Sequence, residues 1–188
     1  MLKEQVSFGL ARLAALARQD DWRTGELEGL TPTQGDILRL LLQRPDGLRL
    51  TALAAQLQIS QPTASDAVAA LVRKDFVQKH ADPDDARALL LRVTRAGRAL
   101  AKRWPLSFGA VVEALPASDQ SALLGIVMRA IENLQRQGAI APQRMCHSCR
   151  YFAPNAHPGR ARAHHCRFIN AAIGEADLRV DCAEHEAA

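Results

Sequence analysis

The chain has 188 residues, 48% of them hydrophobic, and a formal net charge of +4. That length suits one ordinary domain with an appendage, the apolar fraction argues against disorder over most of it, and no run approaches the ~20 apolar residues of a membrane span. The charge excess is local: residues 30–105 hold 12 Lys+Arg against 7 Asp+Glu, a net of +5, which is the footprint of a phosphate-backbone binder or of a solvated basic surface.

The opening segment places Leu2, Val6, Leu10, Leu13 and Ala17 at spacings of three and four, which predicts an amphipathic helix over 2–18, with a loop marked by Gly25 and Gly29. Charges break its apolar stripe, so it does not read as a secretory leader, and a cytoplasmic protein is expected. "TPTQGDILRLLL" then opens a helix with Thr31 as cap, Pro32 at the first helical position and Gln34 where a capping box wants it. "RPDG" stops that helix, and "LRL" at 48–50 alternates like a short edge strand.

Thr51 is expected to cap a short helix, and Ser60 to cap a second, "QPTASDAVAALVRKD", about three residues later. This is helix-turn-helix spacing. Ala64, Val68, Leu71 and Val72 form the buried stripe of the second helix, leaving Gln61, Thr63, Ser65 and Asp66 outward near its start. Short polar side chains there can reach base edges in a major groove. Residues 77–80 and 88–93 read as two strands around the turn-prone "ADPDDAR", a hairpin that turns the motif into a winged helix. Helix follows from Thr94 to about Leu115, bent at Pro105, and a last helix is capped by Ser118, with Leu123, Leu124, Val127, Ile131 and Leu134 along one side.

The run Asp85-Ala86-Arg87, an apolar strand, then Val93-Thr94-Arg95-Ala96-Gly97 resembles the wing signature of the MarR family (multiple antibiotic resistance regulators). The order of elements over roughly residues 2–138 resembles it too. The resemblance implies a homodimer, paired through the first and closing helices, whose winged helices enter successive major grooves of double-stranded DNA. It also implies that Arg87 is the wing residue that reaches the minor groove, with Asp85 as its companion. An exposed ion pair of modest worth is the plainer account of those two. Arg73, Lys74, Lys79, Arg92 and Arg95 are candidate phosphate contacts as a set, although each singly reads as a solvated charge.

All four cysteines fall in the last 43 residues: Cys146-x2-Cys149, sixteen residues to Cys166, then fifteen to Cys182. Five of the six histidines lie there as well, and His165, beside Cys166, is the first that could replace a thiol as ligand. A short tail with few large aliphatics needs a staple, and in a reducing cytosol four clustered thiols point to metal before disulfide. Tetrahedral zinc and an iron–sulfur cluster both accept four thiolates. One close pair plus two distant single cysteines leans toward the cluster, while general frequency leans toward zinc.

The expected fold is mainly α: a winged helix-turn-helix at 30–97, a leading dimerisation helix at 1–29, closing helices at 98–140, and a metal-stapled module at 141–188. The expected function is a sequence-specific DNA-binding transcriptional regulator, a repressor, whose affinity is modulated by the Cys146, Cys149, Cys166 and Cys182 centre. One alternative is a structural zinc with a small-molecule effector as the signal. Another is a winged helix that binds no DNA, with a tail that carries metal or electrons. No membrane partner is expected. Neither a nucleophile triad, a phosphate-cradling glycine loop nor a His-x-x-x-His pair stands out, so an enzyme is not.

Overall fold

The computed structural model describes residues 1–188, with the side chains of all but Ala86. The chain forms two compact units, 1–115 and 116–188.

In the first unit, α1 (Leu2–Glu28) runs well past the predicted residue 18. Gly25 lies inside it rather than in a loop: the helix passes so close to the next segment that a Cβ there would meet the Leu30 carbonyl oxygen at 2.5 Å. Gly29 ends the helix in the left-handed conformation at φ 65°, where glycine carries no Cβ penalty. Of the predicted apolar face only Ala17 is buried, whereas Leu2, Val6, Leu10 and Leu13 are exposed.

The capping box of α2 (Pro32–Leu42) forms as expected. Gln34 N–H donates to Thr31 Oγ1 at 3.3 Å, and Thr31 N–H donates to Gln34 Oε1 at 3.2 Å. The strand β1 (Leu48–Arg49) is shorter than the predicted "LRL", because Leu50 already opens α3 (Leu50–Leu57). The predicted Thr51 cap is therefore wrong: Arg49 is the cap residue, extended for strand pairing, and no side chain closes the helix. The predicted Ser60 cap on α4 (Gln61–Arg73) does form, with Thr63 N–H donating to Ser60 Oγ at 3.2 Å.

The wing is longer than the alternation suggested. β2 (Val77–Asp82) and β3 (Asp85–Val93) pair antiparallel through most of the predicted loop, and the sheet order is β1-β3-β2. The tip is held by Asp82, whose carboxylate accepts from Asp84 N–H at 3.0 Å, a local turn that replaces a longer loop.

Ile37, Leu38, Leu41, Leu53, Leu71 and Val77 fill the core between α2, α3, α4 and the wing and are essentially sealed from solvent. Each contributes roughly 1.5–3 kcal/mol by burial. In α4 the inner stripe is Ala64, Ala67, Val68 and Leu71; Val72, which was expected in it, is 36% exposed.

The expected long helix after Thr94 is two short ones, α5 (Arg95–Arg103) and α6 (Gly109–Glu113). Trp104 leaves the helix in an extended conformation just before Pro105, and its buried ring occupies the space that Gly35 leaves by lacking a Cβ. Thr94 caps α5 through Gly97 N–H at 3.0 Å and also donates its hydroxyl to the Asp75 carbonyl at 2.7 Å. A Cβ on Gly97 would overlap the Phe76 carbonyl oxygen and lie 2.9 Å from Val93 Cγ2. The Thr-x-x-Gly of the wing signature is thus the weld between the wing and α5.

The second unit begins with α7 (Ala117–Arg136). Pro116, not Ser118, is its cap residue; the Ser118 hydroxyl hydrogen-bonds Asp119 instead. The predicted stripe divides into two. Leu124 and Ile131 pack around Met128 against Met145, Ile173 and Leu178, whereas Val127 and Leu134 are exposed. The tail adds a three-stranded antiparallel sheet, β4 (Phe152–Ala153), β5 (His164–Cys166) and β6 (Ala171–Ile173), in that order.

Candidate nucleic-acid interface and thiol cleft

Gln61, Thr63, Ser65 and Asp66 are all exposed on the first turns of α4. Ser60 positions this start of the helix twice, by capping it and by a 2.7 Å hydroxyl contact with Thr63 Oγ1. The face therefore presents an amide, two hydroxyls and the Asp66 carboxylate on a helix held by its own cap; the amide and hydroxyls can donate to or accept from base edges, and the carboxylate can only accept.

The basic set separates by geometry. Arg73, Lys79, Arg87 and Arg95 are exposed. Lys74 donates to the Gly29 carbonyl and Arg92 Nε to the Asp46 carbonyl at 3.2 Å, so both are engaged in tying the fold together. Asp85 was expected to hold the Arg87 guanidinium, and its geometry is different. Its carboxylate accepts from the Arg87 backbone N–H at 3.1 Å and lies 3.7 Å from Arg49 Nη1.

Arg49, which no sequence motif marks, is the cation that reaches the Asp82 end of the wing. Its Nε sits 2.6 Å from Asp82 Oδ2, and the Asp82 carboxylate is 6% exposed. The Asp84 backbone N–H and then the Arg49 guanidinium hold the Asp82 carboxyl below its ordinary range. The missed signal is positional: Arg49 pairs with Leu90 on the central strand β3, the site from which a long side chain reaches the hairpin tip.

A cleft of 520 Å³ opens between α1, the start of α2 and α4, lined by Arg18, Asp21, Trp22, Gln34, Thr63 and Asp66 among others. Asp21 is buried to 9%, and its Oδ1 has no hydrogen-bond partner among the described residues.

In the second unit, Cys146, Cys149, Cys166 and Cys182 all line a single cleft of 360 Å³. All four are free thiols, half-buried. Backbone pairing assembles them. Cys146 N–H donates to the Arg179 carbonyl at 3.1 Å, Cys182 N–H to the Arg144 carbonyl at 2.9 Å, and Arg150 N–H to the Glu186 carbonyl at 2.9 Å. These bonds zip the segment around Cys146 and Cys149 to the one bearing Cys182. β4 follows Cys149 closely and sets Phe152 opposite Cys166. Burial, opposed by a 3.2 Å hydrogen bond from Arg179 N–H and reinforced by the other three thiols, holds the Cys146 thiol above its ordinary value.

No three described His, Cys, Asp or Glu side chains are grouped so as to hold a single metal ion. The histidines lie elsewhere. His165 Nδ1 is 3.1 Å from His157 Nε2, His164 Nε2 is 3.0 Å from Glu175 Oε1, and His185 Nε2 is 3.0 Å from Ser148 Oγ. Strand alternation explains His165: in β5 it points to the face opposite Cys166, away from the thiols.

Residues 30–89 match the model of the MarR family. A MarR transcriptional regulator from Methanosarcina mazei Go1 is 19% identical, with a TM-score of 0.62 over 71% of this chain and 98% of its own. A probable transcriptional regulator from Pseudomonas aeruginosa is 27% identical, with a TM-score of 0.54 over 69% and 99%. S. aureus MepR in a DNA-binding conformation is 22% identical, with a TM-score of 0.60 over 69% and 98%. The comparison with curated proteins returns no match. Among the described residues no helix is long and apolar enough to cross a membrane. Residues 30–89 thus carry the MarR pattern, on a fold shared with solved winged-helix transcriptional regulators.

Proposed function

We propose that the protein is a homodimeric MarR-type transcriptional regulator, a repressor, that binds double-stranded DNA. The observation that carries this reading is the exposed, capped polar start of α4 beside a wing bearing exposed Arg87, within the segment that matches the family. Gln61, Thr63 and Ser65 face base edges in the major groove. Arg87 enters the minor groove, Asp85 orders the wing backbone at Arg87, and Arg73 and Lys79 contact phosphate. A guanidinium suits the narrow, electronegative minor groove, and phosphate contacts set register without reading sequence. S. aureus MepR, which shares the fold, has been solved in complex with DNA, and this supports DNA as the partner.

Dimerisation falls to the apolar faces left uncovered in each unit. Leu2, Val6, Leu10 and Leu13 on α1 and Val127 and Leu134 on α7 are too many to leave in water on a soluble chain. The four thiolates hold a metal centre whose state sets DNA affinity. Met128 on α7 packs against Met145, and Cys146 and Cys166 pack against the same cluster. Loss of the centre therefore loosens the cover on one face of a helix whose other face serves the dimer.

A small-molecule effector as the signal is the second reading. The cleft holding the unpartnered Asp21 Oδ1 favours it, because a ligand with a hydrogen-bond donor would satisfy that atom and would touch Thr63 and Asp66 of α4.

The test is binding to duplexes selected from a random pool, titrated over a range of salt. Affinity should fall steeply as salt rises; Lys79→Ala should weaken binding on all sequences and reduce the log–log salt slope by about 1, whereas Arg87→Ala should cost roughly 1–3 kcal/mol and relax discrimination. Affinity that is flat with salt, or that discriminates no sequence from bulk DNA, overturns the reading.

A further inference from the structure

We infer that the thiol cleft of the second unit is built for a four-iron, four-sulfide cube, with Cys146, Cys149, Cys166 and Cys182 each ligating one iron. The inference rests on the proposal that these thiolates hold a metal centre, and it identifies that centre.

Geometry separates the candidates. A single tetrahedral ion draws four sulfurs to ~2.3 Å from a common point, so they touch one another and leave no space between them. Here the four cysteines stand around a 360 Å³ cleft, and no three ligand-type side chains are grouped for one ion. Four thiolates that line one cleft, without three of them grouped for a single ion, suit a body that carries its own sulfides and offers a separate iron to each ligand. A two-iron rhomb needs its thiolates as two close pairs, one pair per iron. Here Cys146 and Cys149 share one turn, while Cys166 leaves from β5 and Cys182 from the segment beyond β6, so the four thiols come from three separate backbone segments. Four separate corners fit the cube.

The walls suit the same occupant. Phe152 and buried Ile173 line the inner side of the cleft and exposed Phe168 and Ile169 its rim, and an apolar wall beside a cluster lowers the access of water to it. The Arg179 backbone N–H already donates to Cys146 Sγ at 3.2 Å, the kind of bond that offsets negative charge on a ligating sulfur and raises a cluster's potential. Arg162 and Arg179 border the same cleft together with Asp177 and Glu184, and Arg162 Nε lies 3.6 Å from Asp177 Oδ2, so these four side chains nearly balance in charge beside the thiolates. No histidine borders the cleft; Asp177 and Glu184 do, but the four cysteines by themselves supply a full set of thiolates for the cube.

The experiment uses the full chain purified without oxygen, treated with ferrous iron and sulfide, freed of excess by gel filtration, and compared with protein offered zinc. Iron and acid-labile sulfide are counted per chain, and the visible and electron paramagnetic resonance spectra are recorded. About four of each per chain is the expected result. Cys166→Ser and Cys182→Ser should lose nearly all of it, whereas His165→Ala should retain it in full. His165→Ala keeps the test decisive if the cysteine variants fail to fold.

Two irons and two sulfides per chain overturn the cube. One zinc per chain, retained against iron and sulfide, overturns any cluster yet leaves the thiolate centre standing. Neither iron nor zinc bound overturns both. Duplex binding measured on the same samples judges the DNA-binding reading separately.

Discussion

Replacing Gly97 by alanine tests whether the wing is welded to α5 as described. Alanine inside a helix ordinarily adds stability, by ~0.5–1 kcal/mol over glycine, so helix propensity alone predicts a gain. The surroundings of Gly97 predict a loss. The new Cβ would overlap the Phe76 carbonyl oxygen and lie 2.9 Å from both the Phe76 carbonyl carbon and Val93 Cγ2, inside the 3.0 Å that real Cβ atoms essentially never cross. Two of those three atoms are backbone, so no rotamer change relieves the contact. Phe76 also accepts the Thr94 N–H at 3.0 Å, and moving it disturbs the pairing of Val77 with Val93 that begins the wing. Overpacking of this kind costs roughly 1–3 kcal/mol, and contact with two backbone atoms puts this site in the upper half of that range, so about 1–2 kcal/mol of destabilisation remains after the propensity gain. For a chain of this length that lowers the melting temperature by ~2–8 °C. Thermal unfolding followed by circular dichroism reads the shift directly. A Gly97→Ala variant that melts at or above the parent temperature would falsify the claim that close approach, and not turn conformation, requires glycine there.

Two further outcomes follow from burial and charge. Asp82 is held below its ordinary value of 3.8 by the Asp84 N–H and by Arg49. A carboxyl with a depressed folded value binds fewer protons folded than unfolded, so its contribution is complete above the ordinary range and is lost as pH falls below it through the folded value. Asp82→Asn should therefore be less stable near neutrality and show a shallower acid limb in melting temperature against pH; acid limbs that stay parallel refute the assignment. Met128 is fully buried beneath the thiol module, so Met128→Ala should cost roughly 2–5 kcal/mol. Hydrogen exchange should show the loss confined to residues 116–188, and lost protection in α2 or α4 would contradict the division into two units.

Local chemistry was legible in the chain itself. The Thr31–Gln34 box, the Ser60 cap, the helix-turn-helix spacing and the Thr94-x-x-Gly97 end of the wing signature depend on neighbours within a few residues, and the structure holds each of them. Where two local rules competed, tertiary packing chose. Gly25 looked like a loop breaker but lies within α1 where the chain after it folds back closely at Leu30, Thr51 yielded its cap because β1 runs straight into α3, and a helix expected to bend at Pro105 divides because Trp104 turns inward over Gly35. Which carboxylate meets which guanidinium was likewise undecided until the fold closed. Arg49 and Asp82 are 33 residues apart, and nothing local couples them. Spacing alone let the four cysteines suit an ion or a cluster. Only the antiparallel zip of residues 144–150 against 179–188, and of β4 against β5, set the thiols around a cleft, because the distance between sulfurs depends on pairing between segments that sequence separates.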